Sequence, residues 1–227
     1  MPSALRIKEL RNLSDTVLMS DGALSSNVQF PAGHVLQIKR SYLKDVFEFT
    51  STVPYNTSTG ATGYTFGSAA TRADNTAGQI VDALTTTITK TSATSYFLIT
   101  YNLNHINNSQ MTGGYSFGMC IFSSADSYVT PVDRGNTNSG YTNQSRLTDG
   151  FWAQMSGNDY PTLNLSGIIE HNPSVAINTS LTYKVCIDNP YNAIGNTLKI
   201  GNMKVSTNHA NSYTTVSSVT VTEVQGT

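Results

Sequence analysis

With 227 residues the chain is long enough for one large β domain, or a domain with a short appendage, but short for two full domains. A net charge of −1 with scattered Lys and Arg gives no electrostatic footprint of the kind nucleic acid demands, and charged residues at 12% of positions, against about 25% in an average globular protein, leave the surface to hydroxyls and amides. Met1-Pro2-Ser3 leads into Arg6, Lys8, Glu9 and Arg11 with no apolar signal core, and no run approaches the ~20 apolar residues of a membrane helix, so neither secretion by signal peptide nor membrane insertion is expected.

Residues 1–33 differ from the rest. They hold most of the early charge and end at Pro31-Ala32-Gly33, where Pro and Gly interrupt any regular element. Leu10, Leu13 and Val17 suit one face of a short helix, whereas Leu5 with Ile7, and Val28 with Phe30, alternate as strands do. The segment is too small to bury a core of its own, and is expected to pack against copies of itself or a partner.

From His34 onward strand patterns follow one another: 34–39, 46–51, 83–90, 95–106, 115–122, 151–155, 163–171, 181–188, 198–206 and 217–224. Ser, Thr and Asn make up about a third of the chain, yet Val, Ile, Leu, Tyr and Phe recur in short blocks between turn residues, which a disordered chain has no need of. Short strands at regular spacing, without an intervening helical stretch, predict an all-β antiparallel sandwich or barrel. The turn Lys90 to Ser95 separates two of these patterns. Gly201-Asn202, flanked symmetrically by Leu-Lys-Ile and Met-Lys-Val, predicts a two-residue hairpin turn at positive φ. Pro54 to Gly78 and Pro131 to Pro161 read as long loops, and connections of that length usually bind something or lie along a partner.

Cys120 and Cys186 both fall in strand patterns, with no second Cys or His nearby at metal-ligand spacing. Two buried thiols are the plain expectation. A disulfide between them requires the two strands to face one another, which spacing does not show.

The blocks HVLQIK, TTTITKTSATSYFLITYNLN, LSGIIEHNPSVAINTSLTYKVCI and terminal SSVTVTEV occur in that order. Together they resemble the small all-β modules of virion fibre and appendage proteins of marine and cyanobacterial tailed phages. In that family a V-L-Q-V strand opens the domain, a Ser- and Thr-rich block precedes a long core strand, Y-K-V sits late and S-S-I-T-V-x-E-I closes the chain. The likeness covers most of 34–227, with Lys90 where that family usually has Pro and Tyr96 where it often has Lys. It implies a jelly-roll head, 34–227, of complement C1q and tumour necrosis factor type, assembled as a homotrimer. It also implies that 1–33 is the stem and anchor docking on a phage capsid or tail protein, with Leu5, Ile7, Leu10, Leu13, Val17, Val28 and Phe30 as its apolar residues.

For chemistry the residues offer little. The chain has His34, His105, His171 and His209, and its one Gly-x-Ser-x-Gly run, Gly114 to Gly118, falls in the strand pattern 115–122 and not at the strand-to-helix turn of a nucleophile elbow, so no hydrolytic triad is expected. Asp126, Asp133, Asp149 and Asp159 lie in the loop-rich half, where a glycosidase pair is conceivable, though Asp is also an ordinary turn former. Asp133, Asn136 and Asn138 faintly resemble a calcium loop but lack the spacing and the bidentate Glu of an EF-hand, so neither a metal nor a cofactor is expected. Asn-x-Ser/Thr triplets are the chance product of this composition. Glycan binding fits neutral loops better, because sugars are held by aromatic faces and by amides and hydroxyls. Tyr141, Asn143, Gln144, Arg146, Trp152, Asp159 and Tyr160 are gathered in one stretch that includes the only Trp, although Trp152 also suits a core position. The expectation is a non-enzymatic virion appendage contacting host surface polysaccharide. A capsid decoration protein and a small glycan depolymerase are the alternatives.

Overall fold

Alternation of apolar and hydroxyl side chains governs the architecture. In the computed structural model the described residues are 9–11, 17–20, 23–24, 31–50, 79–108, 113–127, 132, 149–155, 163–188, 197–204 and 212–227. The protein is an all-β molecule of antiparallel sheets packed together, as its sequence predicts.

Three short strands, β1 (Glu9–Arg11), β2 (Val17–Ser20) and β3 (Ala23–Leu24), pair with one another and, among the described residues, with no other strand. Leu10 and Val17 therefore stand on strands and not on a helix: Leu10 lies opposite Met19, and Arg11 opposite Val17. Pairing across a short connection satisfies the backbone here, where an isolated helical turn pays a nucleation cost.

The sandwich begins with β4 (Val35–Leu43) and β5 (Phe47–Thr50), followed by β6 (Gln79–Ile80), a 3-10 turn at Asp82–Leu84, β7 (Thr86–Thr89), β8 (Tyr96–Asn108) and β9 (Gly113–Ser123). Then come β10 (Asp149–Met155), β11 (Leu163–His171), β12 (Ser180–Asp188), β13 (Thr197–Ile200), β14 (Asn202–Lys204), β15 (Ser212–Thr214) and β16 (Ser217–Val224). The larger sheet has the order β4-β16-β8-β13-β5, with β11 also paired to β8; the smaller runs β10-β9-β12-β6, with β7 also paired to β12. Every pairing in both sheets is antiparallel.

Period-two burial places the core between them. In β16, Val219 and Val221 are buried while Ser218, Thr220 and Thr222 are not; in β8, Phe97, Ile99, Tyr101 and Leu103 are buried in alternation. From the smaller sheet Phe117, Met119, Ile121, Leu181, Tyr183, Val185 and Ile187 join the same cluster. The two central strands β9 and β12 are buried on both faces, because Cys120, Phe122 and Cys186 form a second cluster with Ile80.

Two local devices shape the sheets. His105, at φ 50°, makes a bulge in β8: Leu163 faces Ile106 but Leu165 faces Leu103, so two residues of β8, Asn104 and His105, oppose one of β11, Asn164. Gly201 has φ 83°, the positive value expected of the Gly-Asn turn, but β13 and β14 do not pair with each other. β13 pairs with β5 and the end of β8 while β14 pairs with β15, so Gly201 is a handover between sheets and not a hairpin. Its N–H donates to Asn104 O at 2.9 Å and its carbonyl accepts from Thr215 N at 2.9 Å.

Candidate functional site

The register gives the sandwich two distinct ends. At one end β4 starts, β8 starts, β11 ends and β16 ends, since Val224 faces both Val35 and Tyr96 and His171 faces Phe97. The chain from 31–34 enters there and the C-terminal residues lie beside it: Gly33 N donates to Gln225 O at 2.7 Å and Gln225 N to His34 O at 2.8 Å. At the opposite end lie Leu43, Thr50, Asn108, Gly113, Met155 and Leu163, and the connections 51–78, 109–112 and 156–162 depart from it.

The entry end is organised by a buried carboxylate. Glu223 follows Val219 and Val221 on the inward face of β16 and is fully buried. It accepts from Gln37 Nε2 (2.6 Å), Thr91 N (2.7 Å), Thr91 Oγ1 (2.7 Å), Ser92 N (3.2 Å) and Ser95 Oγ (2.5 Å). Burial works to raise its pKa, but these donors outweigh it and hold the carboxyl below the usual carboxylate range. Their combined effect ties the 90–95 turn, which crosses from β7 in one sheet to β8 in the other, to both terminal strands of the head. Lys90 is itself buried, its Nζ donating to Pro173 O at 3.3 Å and its N–H to Thr179 O at 3.0 Å. That N–H explains why the position holds no Pro here.

Beside it stands a titratable cluster. His171 Nδ1 and Tyr183 Oη lie 2.9 Å apart, and His171 Nε2 lies 3.8 Å from Asp126. Burial lowers the imidazole pKa against the opposing pull of Asp126. It pushes the Tyr183 phenol up, countered by a bond from Ser123 and reinforced by the charges of Asp126 and Glu223. The cluster thus favours a neutral imidazole and phenol, binding the ends of β9, β11 and β12 together. Of the other carboxylates weighed as glycosidase residues, Asp149 accepts from Tyr101 Oη at 2.7 Å, and Asp133 and Asp159 lie outside the described residues. Tyr101 reaches Asp149 by lying across Gly167, where a Cβ would collide with the phenol.

The outer face of the larger sheet is open. Successive rows across β4, β16, β8 and β11 are Ile38-Thr222-Leu98-Glu170, Arg40-Thr220-Thr100-Ile168 and Tyr42-Ser218-Asn102-Ser166. Ile38, Tyr42 and Ile168 are 56%, 45% and 67% exposed, so the face shows large apolar groups where an outward strand position ordinarily holds a polar one. Arg40 is pinned by its Nε–H to Thr220 Oγ1 at 2.8 Å and sits 6.0 Å from the Tyr42 ring centre.

Of the glycan residues predicted from sequence, Trp152 lies on β10 opposite Ser116, and Tyr141, Asn143, Gln144, Arg146, Asp159 and Tyr160 lie outside the described residues. Met155 and Leu163, which flank Asp159 and Tyr160, stand at the end away from chain entry; Ser127, which precedes the segment holding Tyr141 to Arg146, stands at the entry end. Of the residues expected to form a stem, Leu10 and Val17 are on β1 and β2, while Leu5, Ile7, Leu13, Val28 and Phe30 fall outside the described residues. Sequence reasoning missed Glu223, although its place in the Val-Thr-Val-Thr-Glu alternation marks an inward position. A scan against protein-family models finds no match to this chain, and a search of curated proteins finds none either.

Proposed function

We propose that this chain is a bacteriophage virion structural protein, a homotrimeric fibre or appendage that attaches through its N-terminal segment and contacts host surface glycan with the opposite end of its head. The polarity of the sandwich carries this reading. Chain entry and C-terminus share one reinforced end, while connections including 51–78 and 156–162 leave the other, a division of labour suited to an attached, outward-facing module.

Strand order supports a jelly-roll head. Numbering β4, β6 with β7, β8, β9, β10, β11, β12 and β16 from one to eight, the sheets run 1-8-3-6 and 2-7-4-5, the interleaving of two Greek keys. The outer face of the larger sheet supports self-association. Ile38, Leu98, Ile168 and Tyr42 give it apolar area, and in the rows across β4, β16, β8 and β11 the charges, Arg40 and Glu170, stand on the outer two strands, while Lys199 on β13 is paired with Glu48 on β5, so copies can meet without opposing like charges. A closed ring of three then presents three weak contacts at once, gaining orders of magnitude in avidity over one.

Binding of the recombinant protein to host cells and to their purified polysaccharide tests the reading. Saturable binding, lost when Tyr141, Trp152 and Tyr160 are all replaced by Ala, is expected. No binding by the intact protein refutes adhesion, and binding that survives the triple substitution moves the contact surface elsewhere.

A further inference from the structure

We propose that Cys120 and Cys186 are a modification site: an oxidisable pair that closes into a cross-strand disulfide within the folded head. The ladder between β9 and β12 sets Val185 opposite Ile121, Cys186 opposite Cys120 and Ile187 opposite Met119, with no register shift. Directly opposed residues of an antiparallel pair have Cα atoms about 4.5 or 5.5 Å apart, depending on the kind of pair. Both values fall within the roughly 4.4–6.8 Å that a disulfide spans, so the backbone need not move for either.

The side chains also share a face. Met119, Ile121, Val185 and Ile187 alternate into the main core, which turns Cys120 and Cys186 to the other side of the sheet, where they pack with Phe122 and Ile80. Both residues are thiols at 0% exposure. Burial in an apolar cluster shuts out bulky reagents, so reaction waits on local opening of the strands. Burial therefore sets the rate, and register sets the product.

With oxidised glutathione the exchange proceeds in two steps. The thiolate of one Cys attacks a glutathione sulfur, forming a mixed disulfide and releasing one glutathione thiol. The second thiolate then attacks the protein sulfur of that bond, closing Cys120 Sγ to Cys186 Sγ and releasing the second glutathione. The two thiol protons end on the two glutathiones, and the pair loses two electrons to the oxidant. A reducing cell interior keeps the pair open and an oxidising exterior closes it. Closure links strands distant in sequence, so the oxidised form resists unfolding better. The inference rests on register alone and stands whether or not the protein belongs to a virion.

The test refolds the full-length reduced protein from guanidinium in a glutathione redox buffer and, separately, holds the native protein in oxidised glutathione. Expected are loss of both titratable thiols, an intact mass lower by two hydrogens, and a proteolytic fragment joining the Cys120 and Cys186 peptides. The urea midpoint should rise and return with dithiothreitol. Cys120→Ala and Cys186→Ala each fold with a midpoint indifferent to oxidant; should either variant fail to fold, the peptide map of the unsubstituted protein still decides. Two titratable thiols after oxidative refolding, glutathione adducts on both cysteines, or a linked form less stable than the reduced one would each overturn the proposal.

Discussion

Glu223 illustrates how one inward-facing residue can hold several segments. Its carboxylate collects donors from β4 and from the turn between β7 and β8, and a Gln in its place keeps the shape but sets an amide NH2 donor where a carboxylate oxygen accepted. Glu223→Gln should lower unfolding free energy by about 2 kcal/mol, measured by urea denaturation at neutral pH. The pH dependence has a definite sign. A carboxyl held below its ordinary value contributes stability above about pH 4.3, the unfolded value, and the contribution is lost as pH falls through the lower folded value. His171, also held low, contributes above about pH 6.5 and loses its contribution as the solution acidifies below that. Stability measured from pH 8 to pH 3 should therefore fall in two steps; His171→Gln should remove the upper and Glu223→Gln the lower. A variant that keeps its step refutes that assignment. At Gly167, the packing of Tyr101 leaves no room for a methyl group. Gly167→Ala should cost about 1–3 kcal/mol, and the cost should shrink in a Tyr101→Leu background, a coupling read by a double-mutant cycle.

Among elements, handovers between sheets matter more than hairpins. Gly201 is the case in point: its φ of 83° and the Thr215 carbonyl 3.1 Å from where a Cβ would stand make Gly201→Ala costly by about 1–2 kcal/mol in thermal or urea unfolding. A cost near zero would show that the handover relaxes. Each strand pattern from His34 onward is matched by an observed strand, and 163–171 and 217–224 agree to the residue, because their alternation coincides with one buried and one open face. Pairing was less legible. The Gly-Asn dipeptide announced a positive φ but not that its flanking strands belong to different sheets, since partner choice depends on the distant β5 and β15. The turn 90–95 likewise joins strands of different sheets. Leu10 and Val17 fit helical spacing yet lie on strands, because pairing outweighs periodicity in so short a segment. Of the candidate site, the entry-end network was hidden by sequence separations above a hundred residues between Glu223 and its partners in 91–95, and only the inward parity of Glu223 pointed to it.

At the scale of the whole molecule, the proposed trimer rests on the outer face of the larger sheet, where Ile38, Tyr42 and Ile168 are exposed. Sedimentation equilibrium should return three times the 24.4 kDa of one chain. Ile38→Lys with Ile168→Lys should reduce that to the single-chain mass without loss of β circular dichroism, since both residues are exposed in the isolated head. A double variant that remains trimeric would place the contact on another surface. Location on the particle bears on the central claim most directly. Antibodies against the 34–227 head, applied to purified phage and viewed by electron microscopy, should label the particle surface at symmetric positions. Abundant protein in the infected-cell lysate with unlabelled particles, and no trace of the chain in their dissolved components, would contradict it.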